Sequence, residues 1–406
     1  MESIKTCPLC GSVLVKKSKN GKNFLACPGW KPNNAGCKGY IESIKYEKKT
    51  IEFKEVKKFI PTPEQRIAYD LFANYPGHIM GVANPGSGKS ATITSGFDYI
   101  KSFNPSGTIG YTTFNRSRAD ELQAYNLGCY ADSISSLCLQ DTKIIHPKTR
   151  INTNKIADIL DKCGLIEEEK RKKTNPVIVK VYNFLRYYML DITSENIKHI
   201  CTLCKVDYDE SFITVLNWLK IEDVKLYPVM VDFENCKLIA IENKESIKKF
   251  DSLVGDECQD FTALELNFLL ASLNVNGRLI LVGDEKQSIN GFRGADYKSV
   301  ENIRKILNPA EFELTITFRQ PKNHAEALNN KYGLNIQSSK EDGLMEVIKD
   351  TEFIQSIMTK DESLTVCRNN APMVEFVFQL LLNNVGAVIR GKEIKEDLIC
   401  DPMEKI

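Results

Sequence analysis

No apolar stretch in the 406 residues approaches the roughly 20 that a membrane-spanning helix needs, and no signal-peptide pattern opens the chain. The expectation is a cytoplasmic protein, associated with the nucleoid or with replication sites. Excess charge is lacking too. The net is only +1, so the chain as a whole carries no electrostatic mark of a nucleic-acid partner. Arginine is absent from residues 1–60, which hold 13 Lys and 5 Glu, a net of +8; the other residues therefore sum to −7. Such a basic module on a mildly acidic body suits a segment that touches phosphates, and equally a solvated lysine surface. Glycine is missing from residues 41–60, a charge-rich stretch that reads as a linker, taken as 49–60. What is present is ordinary for a globular protein: 42% apolar and 26% charged residues, in a chain long enough for two or three domains.

The 13 cysteines are unevenly placed, four of them within the first 37 residues. That pattern fits a reducing compartment with one metal site. Cys7 and Cys10 form a C-x-x-C knuckle ending in Gly11, sixteen residues precede Cys27, and nine more precede Cys37. Two thiolates from the knuckle and two from a later hairpin would complete a tetrahedral zinc site. Residues 12–16 and 22–26 read as strands joined by an Asn20-Gly21 turn. A segment this small has little core, so the metal would supply its stability. It resembles the zinc ribbons at the C-terminus of type IA topoisomerases, which implies a ribbon over residues 1–48 that binds single-stranded DNA. Phe24, Trp30 and Tyr40 could stack bases or pack around the metal. The pair Cys201 and Cys204, after His199, lacks a second pair and reads as core and surface cysteines.

Chemistry begins at residue 78. His78–Val82 is a strand-like apolar run leading into Ala83, Asn84, Pro85, Gly86, Ser87, Gly88, Lys89 and Ser90, after which a helix can start. Strand, glycine-rich loop and helix are the parts of a P-loop. Backbone N–H groups curl around phosphates, the helix N-terminus adds its dipole, Lys89 reaches the β- and γ-phosphates, and Ser90 is a Mg²⁺ ligand. Downstream, Phe250–Gly255 is a second strand ending in Asp256 and Glu257. Asp256 would hold Mg²⁺, and Glu257 would act as general base on the attacking water.

These residues and the runs around them resemble the superfamily 1 DNA helicases of UvrD/Rep type. That family also has alanine where Ala83 stands, and Asp256-Glu-Cys-Gln-Asp260 is its D-E-x-Q-D form. The resemblance implies an adenine-reading Gln65 in Thr62-Pro-Glu-Gln, and a γ-phosphate sensor Gln287 in Gly283-Asp-Glu-Lys-Gln-Ser-Ile-Asn-Gly-Phe-Arg-Gly. It implies DNA contacts by Thr113, Asn115, Phe292 and Arg293, with Phe292 as a base-stacking platform. Asn290 replaces the usual tyrosine, and Ser135 stands where histidine is usual. Leu314–Gln320 resembles the motif opening the second RecA-like domain, with Arg319 meeting the γ-phosphate and Phe318 stacking on adenine. Thr317 takes an asparagine position there, and Ser363–Cys367 looks like that domain's next strand.

The implied fold is α/β. A RecA-like P-loop parallel sheet spans 61–138 and 235–310, with a helical insertion over 139–234 and a partial second RecA-like domain over 311–406. Tyr182, Phe184, Tyr187 and Tyr188 in the insertion read as core. The resemblance covers roughly residues 60–392, without counterparts to the family's last motifs. The expectation is therefore the N-terminal part of a split or truncated ATP-dependent translocase. Its expected partners are single-stranded DNA and a second polypeptide carrying the remaining motifs; its expected cofactors are ATP, Mg²⁺ and Zn²⁺. The alternative is an ATP-switched single-stranded-DNA-binding protein without helicase activity.

Overall fold

The computed structural model describes residues 15–19, 22–27, 41–42, 60–113, 116–124, 127–227, 229–287, 299–346, 348–358, 363–367, 370–383 and 385–387. The chain divides into two compact units, Met1–Thr315 and Ile316–Ile406. Among the described residues, no helix is long and apolar enough to cross a membrane.

The N-terminal segment forms an antiparallel sheet of β1 (Val15–Lys19), β2 (Lys22–Ala26) and β3 (Ile41–Glu42). β1 pairs with β2 from Val15 opposite Ala26 to Lys19 opposite Lys22, and residues 12–14 of the expected first strand lie outside the described residues.

The body opens with α1 (Pro63–Asn74), started by Pro63 and by a capping box in which Thr62 and Gln65 exchange hydrogen bonds. Next come β4 (Ile79–Ala83), α2 (Lys89–Phe103), β5 (Ile109–Thr113), α3 (Arg116–Ala124), β6 (Tyr130–Ser133) and α4 (Ile134–Ile145). Short strands β7 (Arg150–Ile151) and β8 (Met230–Val231) frame four helices: α5 (Lys155–Leu160), α6 (Glu168–Tyr187), α7 (Ser194–Cys204) and α8 (Phe212–Lys225). The chain returns through α9 (Phe233–Glu242), β9 (Phe250–Asp256), α10 (Ala263–Ala271), β10 (Leu273–Gly283), α11 (Ser299–Leu307) and β11 (Ala310–Leu314).

Six parallel strands assemble in the order β11-β4-β10-β9-β5-β6, the expected RecA-like arrangement. Both faces are buried, so the strands read as continuous apolar runs. Alternate residues feed different cores. Leu253, Leu279 and Leu281 pack with α4, α9 and α10, whereas Val254, Ile280 and Val282 pack with α1 and α2. Arg278 is fully buried. Its guanidinium donates to Ser252 Oγ and to the carbonyls of Phe72 and Tyr75 at the end of α1, and it lies 3.7 Å from the Phe103 ring centroid. Burial pushes its pKa down to about 10.

The strand β11 corrects the expected boundary at 310. It pairs with β4 in the first sheet, because Phe312 closes over Gly81, where a Cβ would lie 2.3 Å from the ring. The first unit therefore runs on to Thr315.

The inserted helices have their own core, including Tyr182 and Phe184, with Tyr187 and Tyr188 packed against it. Cys163, Cys201 and Cys204 are buried in that core as well. Beneath it lies a charged knot. Lys155 is 2.6 Å from Asp223 and donates to Asn235; Asp223 also accepts from Tyr182, and Arg186 pairs with Asp232 at 2.8 Å. These bonds fasten α5, α6 and α8 to α9.

In the second unit, β12 (Ile316–Thr317) pairs with β13 (Gln337–Ser338), alongside α12 (Lys322–Tyr332), α13 (Asp350–Met358) and α14 (Asn370–Leu382). Phe353 and Phe376 join α13 to α14. Residues 363–367, expected as a strand, form none among the described residues. Nothing described offers them a ladder, and a strand is made by its neighbour.

Candidate functional site

The site lies at the C-terminal edge of the sheet, where β4, β10 and β9 end side by side. After Ala83 the chain turns through Gly86 and Gly88, at φ 75° and 82°, a backbone that residues with a Cβ rarely adopt. Gly88 caps α2 without a side chain, so Lys89 stands at the helix start with the amide donors of the first turn around it. The Asn84 N–H donates to the Leu314 carbonyl at 2.9 Å, anchoring the loop to β11. Ser87 is buried, with no hydrogen-bond partner for its hydroxyl among the described residues. A loop of left-handed glycines, a buried unsatisfied hydroxyl and a lysine at a helix N-terminus together fit a triphosphate.

Asp256 ends β9 and is 2% exposed. Its Oδ2 accepts from the Tyr111 hydroxyl at 2.7 Å, and its Oδ1 from the Glu257 N–H at 2.9 Å. Burial raises its pKa above the usual carboxylate range. The Glu257 charge adds to this, while the Tyr111 bond and Lys89 oppose it. A divalent cation would reverse that balance by favouring the ionised form.

Glu257 has φ 58°, a left-handed conformation that is unusual for a side-chain-bearing residue and characteristic of functional turns. The turn sends its carboxylate to Lys89, with Nζ 2.9 Å from Oε2. Gln259 Nε2 donates to the same Oε2 at 2.9 Å, and Gln259 Oε1 accepts the Asp284 N–H at 2.9 Å. The Asp284 carbonyl in turn accepts the Gln287 N–H at 2.9 Å. One amide thus joins the carboxylate after β9 to the segment after β10. Gly283 makes the approach possible, since a Cβ there would lie 2.7 Å from Gln259 Oε1. Asp284 is buried, its Oδ2 has no partner among the described residues, and burial raises its pKa.

Gln65 sits behind the P-loop, 1% exposed. Its Oε1 accepts the Thr62 N–H, and its Nε2 donates to Thr92 Oγ1 at 3.0 Å; Thr92 donates on to the Gly88 carbonyl at 3.0 Å. The glutamine expected to read adenine therefore also braces the P-loop helix.

Of the other sequence-derived candidates, Thr113 is buried at the end of β5, and Ser90 is half-buried in the first turn of α2. Phe318, 42% exposed, and Arg319 belong to the second unit. Asn115, Phe292 and Arg293 lie outside the described residues, as do Cys7, Cys10 and Cys37. Cys27 is buried beside the end of β2. Among the described residues, no cluster of potential metal ligands converges. Sequence reasoning gave no role to Tyr111, Gln259 or Asp284. Only Gln259 carried a signal, as the glutamine of D-E-x-Q-D.

A family model described as an AAA domain matches residues 67–293, more than half of the chain. A probable DNA helicase II homolog of Mycoplasma pneumoniae is 22% identical over 280 residues, which cover 61% of this chain and 39% of that protein. DNA helicase II of Escherichia coli is 33% identical over 108 residues, 25% of this chain and 14% of the relative. The RecBCD enzyme subunit RecB of Borreliella burgdorferi is 28% identical over 198 residues, 47% of this chain and 15% of that subunit. The chain spans well under half the length of these curated relatives. With the P-loop, Asp256, Glu257 and Gln287 all inside the matched stretch, the chain belongs to the AAA_19 family of AAA domains.

Proposed function

We propose that the chain is the ATP-binding and ATP-hydrolysing part of a DNA motor, a DNA-dependent ATPase of the helicase class. The observation that carries this reading is the linked set Lys89–Glu257–Gln259–Asp284 beside the P-loop. Two of the relatives bear the name DNA helicase II, and that supports DNA as the track.

The loop amides and Lys89 hold the phosphates, and Gln65 fixes the start of α2 while facing the base. Ser90 and Asp256 are the residues that would hold Mg²⁺, which supplies charge neutralisation on the phosphate oxygens. Glu257, once Lys89 has turned to phosphate, is released to take the proton of the attacking water. Gln259 then reports the state of that carboxylate to Asp284 and Gln287. Thr113, Asn115, Phe292 and Arg293 contact single-stranded DNA in this reading, and Arg319 and Phe318 keep the nucleotide contacts that the resemblance implies. A ribbon holding zinc through Cys7, Cys10, Cys27 and Cys37 adds a second DNA contact. The β1–β3 sheet and the burial of Cys27 support the ribbon. Cytoplasmic placement belongs to the same proposal.

The test is steady-state ATPase activity with and without single-stranded DNA. Turnover that rises with DNA and vanishes in Lys89→Ala supports the reading; a wild-type chain that neither binds nor hydrolyses ATP defeats it.

A further inference from the structure

Two residues beside the nucleotide site grip consecutive residues at the end of the first unit. Glu64, in the first turn of α1 next to Gln65, accepts the Thr315 N–H through Oε2 at 2.8 Å and the Thr315 hydroxyl through Oε1. Asn84, the first residue of the P-loop after β4, donates its N–H to the Leu314 carbonyl at 2.9 Å. Thr315 is buried and is the last residue of the first unit; Ile316 begins the second. The only covalent path from one unit to the other therefore leaves from a peptide held by both sides of the nucleotide pocket.

We infer that Glu64 is a positioning residue that transmits the nucleotide state of the first unit to the connection with the second. Three features argue for this over a passive staple. First, β11 is already anchored by its ladder to β4 and by Phe312 under Gly81, so the sheet does not need a carboxylate to hold it. Second, the contact is two-pronged and charge-assisted, which fixes direction as well as distance. A single bond would let the peptide pivot. Third, Glu64 follows directly from the capping box that ties Gln65 through Thr92 to Gly88. Movement of the P-loop helix on phosphate binding is thus carried to the start of α1, and from there by one side chain to Thr315. Coupling of this kind needs a bonded element that both ends can bias, and here the links are hydrogen bonds joined by the peptide bond between Glu64 and Gln65.

The inference rests on the nucleotide-binding reading above. It is tested by hydrogen exchange on the full chain, with and without a non-hydrolysable ATP analogue and Mg²⁺. In the wild type the analogue should slow exchange of the P-loop amides and shift exchange of residues 314–320 by about fivefold or more. Glu64→Ala should keep the P-loop protection and lose the change at 314–320. Thr315→Val, which keeps the backbone N–H bond to Oε2, and Glu64→Gln, which retains one acceptor oxygen, should both fall between. Glu64→Ala keeping the wild-type response at 314–320 overturns the inference, and so does its loss of P-loop protection, because Glu64 would then be acting on the pocket itself. A wild type protected at the P-loop but unchanged at 314–320 also overturns the inference alone. A wild type without P-loop protection overturns the nucleotide reading and the inference together.

Discussion

Lys89 and Glu257 form an ion pair across the mouth of the P-loop, with Nζ 2.9 Å from Oε2. On the proposed reading Lys89 must exchange this carboxylate for phosphate, so that nucleotide binding would also release Glu257 as the general base. Glu257→Gln removes the competitor as well as the base. Affinity for a non-hydrolysable ATP analogue, read by calorimetry, should therefore be unchanged or tighter, while kcat should fall by about 10²–10⁴-fold. Weaker binding in this variant would show that the pair assists the site.

Asp256 offers a test through pH. Its folded-state pKa is raised, chiefly by burial, so the apo protein is most stable with this carboxyl protonated. That contribution is fully present below the unfolded value, about 4, and is lost as pH rises through the raised folded value. Mg²⁺ binding needs the ionised form and should strengthen across the same interval. Asp256→Asn should flatten the apo protein's stability profile there, leave its neutral-pH Tm no lower than wild type, and weaken Mg²⁺–nucleotide binding. Thermal unfolding across that range, repeated with nucleotide, reads all three.

The charged knot under the inserted helices makes a stability prediction. Asp223→Ala leaves Lys155 buried without its carboxylate and should cost about 3–5 kcal/mol in denaturant unfolding. Replacing Lys155 and Asp223 together by Met and Leu should recover most of that loss, because an apolar pair of similar volume needs no compensation. A double variant as unstable as the single would show that Asn235 and Tyr182 depend on the charges.

For the ribbon, metal analysis of protein purified without chelators should find about one zinc per chain, and Cys27→Ser should release it. Deleting residues 1–48 should weaken single-stranded DNA binding and flatten its salt dependence, since lysines concentrated there would no longer neutralise phosphates. Phe292→Ala should instead cost about 1–3 kcal/mol with the salt slope nearly unchanged.

Much of the site was legible because its chemistry is local. Gly86 and Gly88 announce a left-handed loop, Lys89 follows them directly, and Asp256 with Glu257 ends an apolar strand. What stayed hidden depends on partners far along the chain. The place of β11 in the first sheet is decided by Gly81, more than 200 residues earlier, and the grip of Glu64 on Thr315 spans a similar distance. Nothing near Arg278 in the sequence shows that the carbonyls of Phe72 and Tyr75 hold its guanidinium in the core. Residues 363–367 have the alternation of a strand, but alternation supplies no partner. Gln65 was legible in position and only half legible in role, because its bond to Thr92 crosses 27 residues.

On the proposed reading this chain hydrolyses ATP at Lys89 and Glu257 in answer to DNA. Steady-state phosphate release by the wild type, Lys89→Ala and Glu257→Gln, each titrated with single-stranded oligonucleotide, tests it most directly. Turnover should saturate with oligonucleotide in the wild type, with neither variant responding and only Glu257→Gln still binding nucleotide. Hydrolysis indifferent to DNA, or surviving intact in Lys89→Ala, would contradict it.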